Sequence, residues 1–323
     1  MDLNPPEELQ NPRPAPRFAL RRPSAATARM YRTQRVWQRL VVPLTLAPAL
    51  GLIAVLFGTS VVYGFSQSLG YLPFLGQATL TLDAYRNVVG GATVAHEFWT
   101  GLGFSLWICC AATLLSAFCA LVVVMLWADR LRGPPRGLML LNINLSFPHL
   151  VWALGLSLLL AQSGLLARIA TALGIISMPA EFPVLIRDRY GIGIIVDYVT
   201  KETPFLVLIP LSILRSQPEA YDVVAENLGA TRWQRLRFVT LPLVLPGLGA
   251  GALLVFAYVF GAYEVPAVLG VRFPQMLSVL ALEFFSNPDL NSRAEGMAIS
   301  VIMALVVLAI ALIGRALSTR AAA

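Results

Sequence analysis

The sequence predicts an all-α, polytopic membrane protein, and three observations lead there. Of its 323 residues 57% are hydrophobic and only 13% charged, with a mean hydropathy of +0.72; an ordinary water-soluble domain does not have this balance. The apolar residues gather in runs that reach the length, about 20 residues, at which a helix crosses roughly 30 Å of hydrocarbon. These runs lack the alternation of a membrane barrel, and lipid offers no partner for a bare backbone amide, so helices are the only spanning elements left.

Taken from the amino terminus, residues 1–39 are rich in Pro and Arg and lack aliphatic periodicity. They precede a run too long for a signal-peptide core, and are expected to form a largely disordered basic arm. Its charge suits an anionic lipid surface better than nucleic acid. Six transmembrane helices are then expected at 40–65, 102–127, 138–161, 191–214, 243–265 and 295–314. The stretch 164–176 is apolar on one side and carries Arg168 on the other. It is too short to cross, so it should lie at the outer interface or partly re-enter.

Orientation follows from basic residues near span ends, which stay on the cytoplasmic side. With the amino terminus inside, the arginines of the arm fall inside together with Arg130, Arg132, Arg136, Arg215, Arg232, Arg235, Arg237, Arg315 and Arg320. Only Arg86, Arg168, Arg187, Arg189, Arg272 and Arg293 remain outside. Both termini, including the tail 318–323, are therefore expected in the cytoplasm.

Several kinds of chemistry are excluded by residue type and spacing. Cys109, Cys110 and Cys119 all fall in the second run, where a thiol is a small hydrophobe, and their spacing is not that of metal ligands. His96 and His149 stand alone, and the HEFWT that begins at His96 lacks the second His of a zincin helix. The one lysine, Lys201, is followed by Glu202 inside a run, whereas a phosphate-cradling loop needs Gly-rich backbone before Lys and Ser or Thr. The chain is thus expected to bind no ATP by itself, and no metal.

The segment 219–247, EAYDVVAENLGATRWQRLRFVTLPLVLPG, is polar and studded with Arg between two long apolar runs. Pro218 suits the first position of a helix, with the negative charge of Glu219 in its first turn. Ala220, Val223, Val224 and Leu228 make one apolar face, with Asp222 and Glu226 elsewhere. Gly229 supplies the left-handed residue that ends such a helix, and Thr231 with Gln234 has the form of a capping box opening a second one. Trp233, Leu236 and Val239 are its apolar points, and Pro242 marks a break after Leu241. A cytoplasmic helix, tight turn and helix result. Tethered to the bilayer at both ends, the pair has no room to enter a DNA groove, and a plain connection would need only about 2 to 8 residues.

This segment resembles the cytoplasmic loop of ABC importer permeases, whose pattern is Glu-Ala-Ala, three residues, Gly, nine residues and Ile-x-Leu-Pro. Here Gly229 is followed after nine residues by Val239, Thr240, Leu241 and Pro242, while Val223 and Val224 replace the family's Glu-Ala and only Ala225 is retained. The likeness covers about residues 40–317, with the coupling loop at 215–242. The stretches TLDAYRNVV at 81–89, KETPF at 201–205 and GAYEVPAVLG at 261–270 are similar to the branch handling polyamines, iron(III), thiamine and phosphonates.

The resemblance implies the type I ABC importer permease architecture with a cytoplasmic coupling helix. It implies an inner-membrane chain that is no enzyme, working with a second identical or homologous permease, two ATPase subunits that hold ATP and Mg, and an extracytoplasmic solute-binding protein. The expected ATPase-coupling residues are Asp222, Ala225, Glu226, Leu228, Gly229, Ala230, Thr231, Trp233, Leu241 and Pro242. The best guess for the solute is a polyamine such as spermidine or putrescine.

Within the bilayer ionisable residues are costly and face the bundle interior, which singles out Asp197, Lys201 and Glu202 in the fourth run. Asp197 and Lys201, four apart, are placed to pair, either as a self-neutralising structural pair or with a solute or gating role. Tyr198, Tyr263 and Glu264 complete a candidate pathway that offers a cationic solute carboxylates and aromatic faces. Asn142, Asn144 and Trp152 in the third run are expected to hydrogen-bond to neighbouring helices. A secondary transporter driven by an ion gradient is the rival class, and would show inverted repeats. No matching halves are apparent. A membrane enzyme would need a paired catalytic constellation and a channel a repeated filter, and neither is found.

Overall fold

The computed structural model describes residues 25–92, 94–132, 139, 143–216, 224–225 and 227–321, with side chains left aside in 25–40, at 42, in 127–132 and in 317–321. Two units divide between Val61 and Val62. Among the described residues the structure is helical and contains no strand.

Helix α1 (Ala25–Ser68) begins ahead of the first predicted span. The expectation of a disordered arm to residue 39 is corrected over 25–39: AATARMYRTQRVWQRL contains good helix formers and neither Gly nor Pro, so nothing interrupts the ladder before Pro43. After a short turn come α2 (Asp83–Gly90) and α3 (Val94–Arg132). The third predicted span is broken. Residues 143–146 are helical, Phe147 and Pro148 are not, and α4 (His149–Leu160) starts afresh. Pro148, with ψ of 144°, lacks an amide hydrogen and disfavours helical geometry at Phe147. The short α5 (Leu165–Ala172) falls within the stretch 164–176 expected to lie at the interface or partly re-enter.

Helix α6 (Ile192–Ser216) packs most extensively against α3 and carries Asp197, Lys201 and Glu202 among its buried residues. The 30 residues of α7 (Arg232–Gly261) also press on α6. The remaining helices are α8 (Glu264–Leu269), α9 (Leu277–Phe285) and α10 (Ser292–Ala321). Among the described residues five segments are long and apolar enough to cross a membrane by length and composition: Pro43–Ser68, Val94–Leu126, His149–Ala172, Arg232–Gly261 and Ser292–Ala316. With 25 residues α6 is long enough, but its ionisable residues set it apart in composition.

One core joins α3, α6, α7, α9 and α10, with Ile108, Leu206, Val259, Leu280 and Ile299 all inaccessible to solvent. Close approach of α6 and α7 depends on two glycines one turn apart. A Cβ on Gly247 would stand 2.5 Å from Ile213 Cδ1, and one on Gly251 only 2.2 Å from Ile209 Cδ1. Small residues four apart let helices meet at the backbone, where lipid gives no hydrophobic drive toward association.

The expected break at Pro242 does not occur. Residues Leu236–Thr240 instead form a π-turn, in which the amide of Leu241 donates to the carbonyl of Leu236, and the helix runs on through Pro242 to Gly261. Widening the ladder by one residue accommodates the amide that proline lacks, so the chain need not leave the helix.

Candidate functional site

Two places bring the expected residues together, one between α4 and α6 and one at the turn before α7. The first is built by prolines. In a helix the carbonyl of residue i accepts from the amide of i+4. Pro148 therefore leaves the carbonyl of Asn144 without its donor, and Pro204 inside α6 does the same to the carbonyl of Thr200. Each is served from the other segment. Lys201 Nζ donates to the Asn144 carbonyl at 2.5 Å and to that of Phe147, and Asn144 Nδ2 donates to the Thr200 carbonyl at 3.4 Å.

A cation on the carbonyls that close residues 143–146 also complements the negative end of that helical turn. Trp152 Nε1 donates to Thr200 Oγ1 at 2.9 Å, and its ring lies 6.0 Å from Lys201 Nζ. Asn144 and Trp152 thus hydrogen-bond to the neighbouring helix as expected, while Asn142 lies outside the described residues.

Lys201 is 2% exposed and Glu202 7%, and Asp197 and Tyr198 are wholly buried. The expected Asp197–Lys201 pair does not form. Among the described residues both Asp197 oxygens and the Tyr198 hydroxyl have no hydrogen-bond partner, and the Lys201 ammonium is directed across the interface instead of to Asp197. Glu202 Oε1 is hydrogen-bonded at 2.9 Å to His149 Nε2, and the His149 ring lies 4.9 Å from that of Tyr258 on α7.

His149, read in the sequence as solitary, is therefore a member of this cluster. Its position directly after Pro148, inside a predicted span, was the signal available. Tyr263 and Glu264 stand apart, exposed where α8 begins, and make no hydrogen bond to the α6 cluster among the described residues. Tyr263 lines a mainly apolar cavity of about 700 Å³ with Phe260, Phe285 and Met303.

The second place is the turn at Gly229. Val224, Ala225 and Asn227 are helical, and the amide of Ala230 donates to the Ala225 carbonyl at 3.0 Å. Gly229 has φ of +76°, the left-handed conformation inferred for it. Thr231 and Gln234 form the expected capping box: Thr231 Oγ1 accepts from the Gln234 amide, and Gln234 Oε1 accepts from the Thr231 amide at 2.8 Å.

Leu228 is 81% and Trp233 65% exposed, with Val224 and Phe238 exposed nearby in sequence. Leu241 is partly covered and Pro242 exposed at the far end of the π-turn. Asp222 and Glu226 fall outside the described residues. An apolar set displayed on a capped, rigid turn suits the docking of another protein surface.

Residues 184–322 match the family described as binding-protein-dependent transport system inner membrane component. The likeness to this family thus covers less than half of the chain, and the relatives it matches are described as ABC transporter permeases.

Over 196 residues it is 29% identical to the inner membrane ABC transporter permease protein YnjC of Escherichia coli (strain K12), covering 60% of this chain and 36% of that one. It is 29% identical over 191 residues to the thiamine transport system permease protein ThiP of Brucella abortus (strain 2308), covering 56% of this chain and 34% of the relative. The match thus spans about a third of the length of these two relatives. Its fold is similar to that of a bacterial ABC transporter involved in the import of the acidic polysaccharide alginate, with a TM-score of 0.69 at 14% identity over 90% of this chain and 99% of that one.

Proposed function

We propose that the chain is the permease subunit of an ATP-driven, binding-protein-dependent importer, with α6 as its sixth crossing and both termini in the cytoplasm. The observation that carries this reading is the capped turn at Gly229, which lies within the family-matched region and displays Leu228 and Trp233. These residues would sit in a groove on an ATPase subunit, and the helix running unbroken into α7 would pass a rigid-body displacement to the bundle. A second permease, two ATPases holding ATP and Mg, and an extracytoplasmic binding protein complete the assembly. The last partner is supported by a solved alginate ABC transporter in complex with a ligand-bound periplasmic protein, similar in fold with a TM-score of 0.70.

For the solute, the carboxylate of Glu202 together with the exposed Glu264 favours a small organic cation. A polyamine such as spermidine or putrescine is the first choice, with iron(III) and phosphonate as alternatives of the same branch. Thiamine, also a cation, is favoured by the likeness to the Brucella protein.

Affinity purification of the full chain from native membranes tests the class and the solute together. An ATPase and a binding protein should co-purify, and the ligand of the binding protein names the solute. Uptake that survives loss of the ATPase but needs a proton or sodium gradient would establish the secondary transporter instead.

A further inference from the structure

Lys201 and Asp197 are one helical turn apart on α6, a spacing at which side chains reach each other. The ammonium nevertheless bonds to the carbonyls of Asn144 and Phe147, and Asp197 is left wholly buried with both oxygens unpartnered. A buried carboxylate without a partner is costly to retain.

We propose that Lys201 is a two-position positioning residue of the transport cycle. In the arrangement observed it fastens the break before Pro148 to α6. When that break moves away, the same ammonium turns back along α6 and pairs with Asp197.

Three features converge on this. The acceptors now used belong to a different segment, and because Pro148 has no amide the Asn144 carbonyl has only a long bond of 3.3 Å from the Phe147 amide and accepts from Lys201 as well. The second acceptor is already within a lysine's reach and has no hydrogen-bond partner among the described residues. The other hydrogen bonds between α4's neighbourhood and α6, His149 to Glu202, Trp152 to Thr200 and Asn144 to the Thr200 carbonyl, cross the same seam, so parting the segments breaks them together.

A lysine with no second partner would then be a buried, uncompensated cation. Pairing with Asp197 brings the parted state within a small free-energy gap of the closed one, as a two-state element requires. The inference rests on the importer reading only in taking the motion to belong to a transport cycle.

The test uses the full chain with its co-purifying subunits in membrane vesicles. Asp197→Asn removes the second position and spares the first. Its thermal unfolding midpoint should be unchanged or raised, while the maximal uptake rate falls by about tenfold or more at an unchanged KM. Lys201→Arg, which keeps a cation able to reach both positions, should retain uptake, and Lys201→Met should lose it. The Asp197→Asn/Lys201→Met double variant should be no worse than the poorer single one, because both residues act in one step.

An unchanged maximal rate in Asp197→Asn overturns the proposal. A loss confined to KM also overturns it, making Asp197 a solute contact. Wild-type uptake indifferent to the ATPase would overturn the importer reading but leave the maximal-rate comparison valid, since that comparison does not depend on what drives uptake.

Discussion

The side-chain amide of Asn144 donates to the main-chain carbonyl of Thr200, the one carbonyl of α6 whose helical donor would have been Pro204. A polar residue of the broken third span thus repairs a fault in the fourth. Asn144→Ala should leave that carbonyl unserved and cost about 1 kcal/mol. Adding Pro204→Ala restores an amide at residue 204 and should recover the loss, so the two changes combine non-additively in thermal unfolding of the purified protein.

Gly251 offers a direct check on the α6–α7 contact. A Cβ there meets Ile209 Cδ1 at 2.2 Å, whereas nothing lies within 4 Å of one on Gly249. Gly251→Val should therefore destabilise the protein by roughly 1–3 kcal/mol through overpacking, and Gly249→Ala should be close to neutral. Midpoints of heat-induced aggregation in detergent would separate them.

At the capped turn, Gly229→Asp places a side chain on a backbone at φ of +76° and a charge among exposed apolar groups. The strain is local, about 1–2 kcal/mol. The variant should reach the membrane in normal amount yet uncouple ATP hydrolysis from uptake, measured side by side in vesicles. Normal transport by this variant would remove the turn from the coupling machinery.

Trp233 is 65% exposed and contributes little to the fold of this chain. Trp233→Ala should leave the unfolding midpoint within about 0.5 kcal/mol of wild type, as surface changes generally do. It should lower the amount of ATPase recovered in a pull-down by about tenfold, the loss expected of a buried aromatic anchor in an interface.

His149→Ala removes the partner of a Glu202 carboxylate that is 7% exposed. The expected cost is about 1.5–3 kcal/mol, the worth of a hydrogen bond to a charged group. His149→Gln, which keeps a donor, should recover part of it in the same unfolding assay.

What the sequence disclosed was local. The apolar runs located the helices, and the left-handed Gly229 and the Thr231–Gln234 box were legible because each depends on residues within one turn. The break at Pro148 was missed because the run from 138 to 161 is apolar on average despite Asn142, Asn144 and His149, and hydropathy does not register a missing amide. Pro242 was read as an end for the opposite reason: a missing amide can be absorbed by an i→i+5 turn, and only the structure tells the two outcomes apart.

The partners of Lys201 and Glu202 lie more than fifty residues away in the chain, beyond the reach of any periodicity argument. That distance is also why the i,i+4 rule chose Asp197 for Lys201 and the folded protein chose Asn144 and Phe147.

The π-turn at Leu236–Thr240 sets the angular phase between two surfaces, the exposed face of Leu228 and Trp233 and the Gly247–Gly251 seam of α7 against α6. Each helical residue advances the chain by about 100° and 1.5 Å, so the extra residue housed in this turn fixes which way the exposed face points relative to the packed one. Shortening the turn by one residue would leave every contact in the bundle available while aiming the docking face at a different neighbour.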